Sequence, residues 1–246
     1  MFIITHAHRL IRKLFPQVSF ACVKVTAICP ISLLERLSDL LRWQKKDPSF
    51  DLPWKSHSIP ILSESSPLYQ TPSKPETLTE TEEKVLQLAL NRLSTLCKRC
   101  AEVNIPILID AEYSSVQPAI DYFTYAAALE FNQGDYPIVF GTIQAYLRDA
   151  KERMAQAVEA AEREGFLIGL KLVRGAYMTR ETELAKSLGV PSPIHRSIQE
   201  THTCYDDCAS FMLERVVRGA GSLVLATHNL ESGTYLGISS ALLKNF

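Results

Sequence analysis

The residues of this chain best equipped for chemistry lie in Lys171-Leu172-Val173-Arg174-Gly175-Ala176-Tyr177, with Glu181 a little further on. Phe166, Leu167, Ile168, Leu170, Leu172 and Val173 form a nearly continuous apolar run, the pattern of a strand covered on both faces. Two cations interrupt the segment. An ammonium at Lys171 is tolerated inside such a strand only where it reaches a partner, water or a ligand. Gly175 lets the backbone approach a neighbour closely, and Tyr177 offers a flat surface with a polar tip. Cations and a glycine at the carboxyl end of a strand suit an anionic or flavin-like ligand. A snorkelling lysine beside a turn glycine is the plainer alternative.

Functional groups recur at the ends of other apolar runs: Lys24 and Thr26, Asp110 and Glu112, Gln144, and Thr227-His228-Asn229. The elements that must position them alternate in type. Strands are expected at 20–28, 105–111, 137–143, 166–173 and 222–227. Helices are expected at 32–45, 79–103, 116–131, 144–164 and 196–218, with a short one after Tyr177. Ser32 with Glu35, and Thr79 with Glu82, have the spacing of capping boxes. Pro118 suits a first helical turn and Gly165 a helix stop. Residues 46–78 are rich in Pro and Ser and read as a long surface excursion.

Strand–helix alternation with right-handed crossovers implies a parallel sheet. Functional groups at five strand ends favour an α/β barrel, since a doubly wound sheet concentrates its chemistry at one switch point. Neither G-x-G-x-x-G nor a P-loop is present.

The 246 residues are 46% hydrophobic and 22% charged, with net charge −1. That is an ordinary globular composition, with room for one large α/β domain or two small ones. The charge offers no electrostatic case for nucleic acid. No apolar run approaches the roughly 20 residues of a membrane helix. Residues 1–17 carry Arg9, Arg12 and Lys13 without an acid, which fits a targeting segment or an ordinary basic helix. Cys97 and Cys100, and Cys204 and Cys208 near His202, invite comparison with zinc ligands. Both pairs fall in helical segments without knuckle turns, so reduced, buried or half-buried thiols are expected, and no metal.

Taken together, Phe20-Ala21-Cys22-Val23-Lys24-Val25-Thr26-Ala27, Leu108-Ile109-Asp110-Ala111-Glu112, Thr142-Ile143-Gln144-Ala145-Tyr146-Leu147, Lys171 to Tyr177, and Ala226-Thr227-His228-Asn229 resemble the proline dehydrogenase family. The likeness is to its plant mitochondrial members and runs over residues 18–233. It implies a (β/α)8 TIM-barrel-like fold, with about five βα units present. It also implies FAD as cofactor and oxidation of L-proline to 1-pyrroline-5-carboxylate, with electrons passed to a quinone-type acceptor. By the same resemblance Lys24 meets the substrate carboxylate, while Leu172 and Tyr177 line the substrate pocket. Asp110 and Lys171 are the catalytic groups, Lys171 lying beside the reactive part of the flavin ring. Ala111, Gln144, Arg174, Gly175, Ala176, Thr227 and His228 contact FAD. A mitochondrial location with peripheral membrane association follows in the same way.

Residues 234–246 do not align with the family, and the chain reads as cut at both ends. It holds no Arg-Arg pair of the kind with which the family clamps the substrate carboxylate. Charge-assisted bonds are worth about 1.5–3 kcal/mol each. Losing two costs roughly two to four orders of magnitude in binding or rate. The competing expectation is therefore an inactive fragment that associates, through open barrel edges, with itself or a full-length subunit. A zinc-dependent barrel enzyme using the cysteines is a third.

Overall fold

The computed structural model describes residues 20–55 and 71–234. The targeting-like segment 1–17, part of the Pro/Ser-rich excursion and the tail beyond Thr234 lie outside the described residues. Five strands, β1 (Ala21–Val23), β2 (Ile107–Ile109), β3 (Val139–Gln144), β4 (Ile168–Val173) and β5 (Gly221–Leu225), form one sheet in sequential order. Every neighbouring pair is parallel. Helices α1 (Ile31–Lys46), α2 (Glu80–Glu102), α3 (Gln117–Phe131), α4 (Ala150–Glu164), α5 (Met178–Leu188) and α6 (Ile198–Val217) lie between the strands. Sequential parallel order with intervening helices is the winding of a β/α barrel.

Burial follows the helices. Strand β3 is buried at every position, whereas β5 is half-buried throughout. Helix α3 packs against β3, α4 against β3 and β4, and α6 against β4 and β5, while α1 and α2 both rest on α3. The alternation of side chains along a strand then divides β4. Ile168, Leu170 and Leu172 enter the core, and Lys171 and Val173 turn to the opposite face.

Local signals set several boundaries. Thr79 and Glu82 form a reciprocal capping box at the start of α2. Ser197 caps α6, Pro118 lies in the first turn of α3, and Gly165 ends α4 in a left-handed conformation at φ 74°. Five cysteines are buried and reduced, and Cys22 is exposed.

Three expectations are corrected. The strand over 20–28 stops at Val23, because Val25–Ala27 closes a 3-10 turn in which Ala27 and Ile28 bond back to Lys24 and Val25. The Ser32–Glu35 box does not form: α1 begins at Ile31 with Pro30 as its cap, which puts Ser32 inside the first turn. The helix over 144–164 begins only at Ala150, since Gln144 completes β3 and Ala145 and Tyr146 pair with Val173 and Arg174.

At the amino end of the sheet, Asn132 is fully buried just beyond α3. Its amide nitrogen donates to the carbonyls of Val139 and Leu167, each at 2.9 Å. Its oxygen accepts from the N–H groups of Ile138 and Val139 at 2.9 and 2.8 Å. One neutral side chain thereby saturates the start of β3 and the residue preceding β4.

Candidate active site

The carboxyl end of the same sheet is charged. Val23 pairs with Ile109, so Lys24 and Asp110 are the next residues on adjacent strands. Lys171 reaches them from β4, where it sits opposite Thr142 of β3. Asp110 bridges the two lysines, with Oδ1 at 2.5 Å from Lys171 Nζ and Oδ2 at 3.2 Å from Lys24 Nζ. Lys24 Nζ also donates to the Tyr177 hydroxyl at 3.5 Å. The Lys171 side chain is 13% exposed and that of Lys24 is 48% exposed. Partial burial disfavours the Asp110 carboxylate, but Lys171 and then Lys24 outweigh it and hold its pKa below the ordinary value. Burial likewise works against the Lys24 ammonium, yet Asp110 and Tyr177 raise its pKa overall.

Arg174, just beyond β4, is held differently. Its Nε donates to His202 Nδ1 at 2.9 Å, Nη1 to Thr227 Oγ1 at 2.5 Å, and Nη2 to Ser232 Oγ at 2.9 Å. Its guanidinium lies over the Tyr205 ring at 4.3 Å. All three acceptors are neutral, since an imidazole that accepts at Nδ1 carries its proton on Nε2. The guanidinium is thus fixed in place and its charge left uncompensated by these partners.

Gly175 follows at φ 143°, and a Cβ there would meet the Tyr146 ring at 2.0 Å. Tyr146 in turn donates its N–H to the Arg174 carbonyl at 2.6 Å. Tyr177 meets Tyr113 edge to face at 5.0 Å, and Arg180 stacks over Tyr113 at 3.8 Å. The buried Gln144 donates Nε2 to the Glu112 carbonyl at 3.0 Å.

The carboxyl end of the sheet opens into a pocket of about 430 Å³. Of the residues expected from sequence, Lys24, Asp110, Ala111, Gln144, Lys171, Arg174, Gly175, Ala176, Tyr177, Thr227 and His228 all line it. Leu172 does not: it is fully buried in the core, on the opposite face of β4 from Lys171. The lining also includes Thr142, Val173, His202, Ala226 and Asn229. Thr142 and Val173 were findable from Gln144 and Lys171 by period-two alternation. His202 carried no such signal, because it arrives from α6 through tertiary packing. Three cations against one carboxylate give the pocket lining a net positive charge. Among the described residues no cluster of His, Cys, Asp and Glu has the geometry of a metal site.

The sequence profile described as proline dehydrogenase matches residues 3–239. The chain is 57% identical over 217 residues to proline dehydrogenase 1, mitochondrial, of Arabidopsis thaliana, covering 87% of this chain and 44% of that protein. It is 30% identical over 220 residues to hydroxyproline dehydrogenase of Homo sapiens, covering 88% of this chain and 46% of that protein. It thus spans under half the length of these relatives. Its fold is similar to that of proline utilization A from Bdellovibrio bacteriovorus, solved after inactivation by N-propargylglycine. There the TM-score is 0.61 at 20% identity, covering 97% of this chain and 26% of that one. The chain belongs to the proline dehydrogenase family.

Proposed function

We propose that this chain binds FAD and L-proline at the carboxyl end of its sheet and oxidises L-proline to 1-pyrroline-5-carboxylate, passing electrons to a quinone-type acceptor. The observation that carries the reading is the Lys24–Asp110–Lys171 bridge beside the Arg174 node, on the strand ends where a barrel enzyme keeps its chemistry.

The residues present fit FAD. Arg174 spends three donors on neutral partners and, of the five a guanidinium offers, keeps the rest for an anion. Gly175 lets the backbone beyond Arg174 pass close against the Tyr146 ring, which sets the course of the pocket-lining loop. Arg174, Gly175, Ala176, Thr227 and His228 would hold the cofactor's anionic part, with Ala111 and Gln144 toward its ring. FAD, when bound, supplies the two-electron acceptor.

The chain's own groups do the rest. Lys24, nearly half exposed and held by Asp110 at 3.2 Å and Tyr177 at 3.5 Å, can exchange toward the substrate carboxylate. Tyr177, braced by Tyr113, limits where the substrate lies, and positioning carries much of such a reaction. Lys171, pinned by Asp110, places a cation where negative charge develops. A mitochondrial location is supported by the names of the plant relatives. Peripheral membrane association is compatible with the described helices, none of which is long and apolar enough to cross a bilayer.

The test is the anaerobic visible spectrum of the purified chain supplied with FAD, before and after L-proline. A bound-flavin spectrum that bleaches with proline is expected, and a protein that retains no flavin overturns the reading. A second reading is association without catalysis, through the sheet edges. It is favoured by the half-buried β5, which within the described residues pairs only with β4. Co-expression with a complete family member separates the two, because an active, monodisperse chain on its own contradicts it.

A further inference from the structure

Glu112 plays no part in the chemistry above, yet it is only 3% exposed at the crowded end of the sheet. Its carboxylate oxygens lie 2.9 and 2.8 Å from the Thr26 hydroxyl, and one also accepts the Thr26 N–H at 3.3 Å. Its N–H donates to Gln117 Oε1 at 3.1 Å, and its carbonyl accepts from Gln144 at 3.0 Å. Gln117 is itself oriented by Asp121 Oδ1 at 2.8 Å, and the Asp121 carboxylate lies 3.5 Å from Arg153 on α4. Every polar group of Glu112 is therefore committed, in a place where an unpaired carboxylate would be costly.

These commitments join three strand ends. The β1–β2 register stops at Val23 and Ile109, and the chain then turns through Val25–Ala27. The Thr26–Glu112 bonds hold that turn against the end of β2. Lys24 is the cap residue of the same turn. Its side chain is nearly half exposed, so packing does little to aim it and the backbone position sets its reach. The carbonyl of Glu112 meanwhile fixes the pocket-lining amide of Gln144.

We propose that Glu112 is a positioning residue: by clamping Thr26 it holds Lys24 where it meets Asp110 and a substrate carboxylate, and by its carbonyl it holds Gln144. This rests on the reading of Lys24 as the carboxylate-binding lysine, but its test uses neither flavin nor substrate.

The lysines of the chain are reductively methylated with a 13C label and titrated by NMR, with the Lys24 signal assigned from Lys24→Arg. In the parent chain the Lys24 signal is expected to titrate above those of the exposed methylated lysines. In Glu112→Gln the second acceptor oxygen is lost, and the upward shift of Lys24 is expected to disappear while circular dichroism is unchanged. Thr26→Val removes the hydroxyl without changing any charge and is expected to do the same, which separates loss of the clamp from loss of a negative charge. Thr26→Ser keeps the hydroxyl and the shift. An unaltered Lys24 titration in folded Thr26→Val overturns the proposal. If Glu112→Gln fails to fold, the Thr26 pair decides alone. A chain that binds no FAD contradicts the proposed function only, and an unmoved Lys24 contradicts this inference only.

Discussion

The two ends of the sheet are both crowded with polar groups, and they are built on opposite plans. At the amino end, Asn132 is neutral, fully buried and bonded at both ends of its amide to backbone groups. At the carboxyl end, Lys24, Asp110, Lys171 and Arg174 are charged, partly exposed and bonded mainly to one another's side chains or to hydroxyls. A buried backbone group left unpaired costs free energy, so the first arrangement stabilises the fold. The second keeps net positive charge and spare donors facing an opening, which is of no use to folding and suits an anionic ligand.

Asn132→Ala should have the largest effect, on stability. It strands several buried backbone groups, each costing about 1–3 kcal/mol, so a loss of roughly 3 kcal/mol or more is expected in urea unfolding. Ligand affinity of the surviving folded fraction should not change, and an Asn132 variant as stable as the parent would erase the contrast. Arg174→Ala should act the other way round. Losing two charge-assisted bonds weakens FAD binding by roughly a hundredfold or more, read by flavin fluorescence. Its unfolding midpoint should move far less than that of Asn132→Ala.

Lys171→Ala should leave FAD bound but slow its reduction by L-proline by about a hundredfold, the scale seen when one group stabilising developing charge is removed. Stopped-flow absorbance checks this, and unchanged reduction kinetics would remove Lys171 from the mechanism. Gly175→Ala tests the loop between Arg174 and Tyr177. A Cβ against Tyr146 at φ 143° should cost about 1–3 kcal/mol of stability and weaken FAD binding.

The smallest effect is the pH dependence of the lysine–aspartate bridge. Asp110 has a lowered folded pKa, so its contribution is complete above the ordinary carboxylate range and is lost as pH falls through the folded value. Lys24 has a raised one, so its contribution is complete below the ordinary lysine range and is lost as pH rises through the folded value. With Lys24 half exposed, the effect should be no more than about 1 kcal/mol. Comparing acid unfolding of the parent with Asp110→Asn measures it, and parallel curves would show the bridge contributes nothing to stability.

Much of this was legible in the residues. The apolar runs, the Thr79–Glu82 box and the Gly165 stop report local physics, and they locate β2 to β5 and most helices. Every cationic site residue was visible because a charge at the end of an apolar run needs an explanation. Leu172 went to the wrong side although the rule that corrects it is local: neighbours in a strand face opposite ways, so Lys171 and Leu172 cannot both line the pocket. The 20–28 run misled for another reason. Val25 is equally buried in a strand or a 3-10 turn, and apolar content cannot tell them apart.

The sequence by itself determined the alternation of elements, the family and the end of the sheet where the charges gather, because each depends on residue types over short spans. The tertiary structure alone decided that Asp110 bridges Lys24 and Lys171, that His202 from α6 orients Arg174, and that Glu112 ties Thr26 to Gln144. Those partners lie between 28 and 86 residues apart in the chain. Strand register and helix packing bring them within hydrogen-bonding distance, and no local preference encodes that.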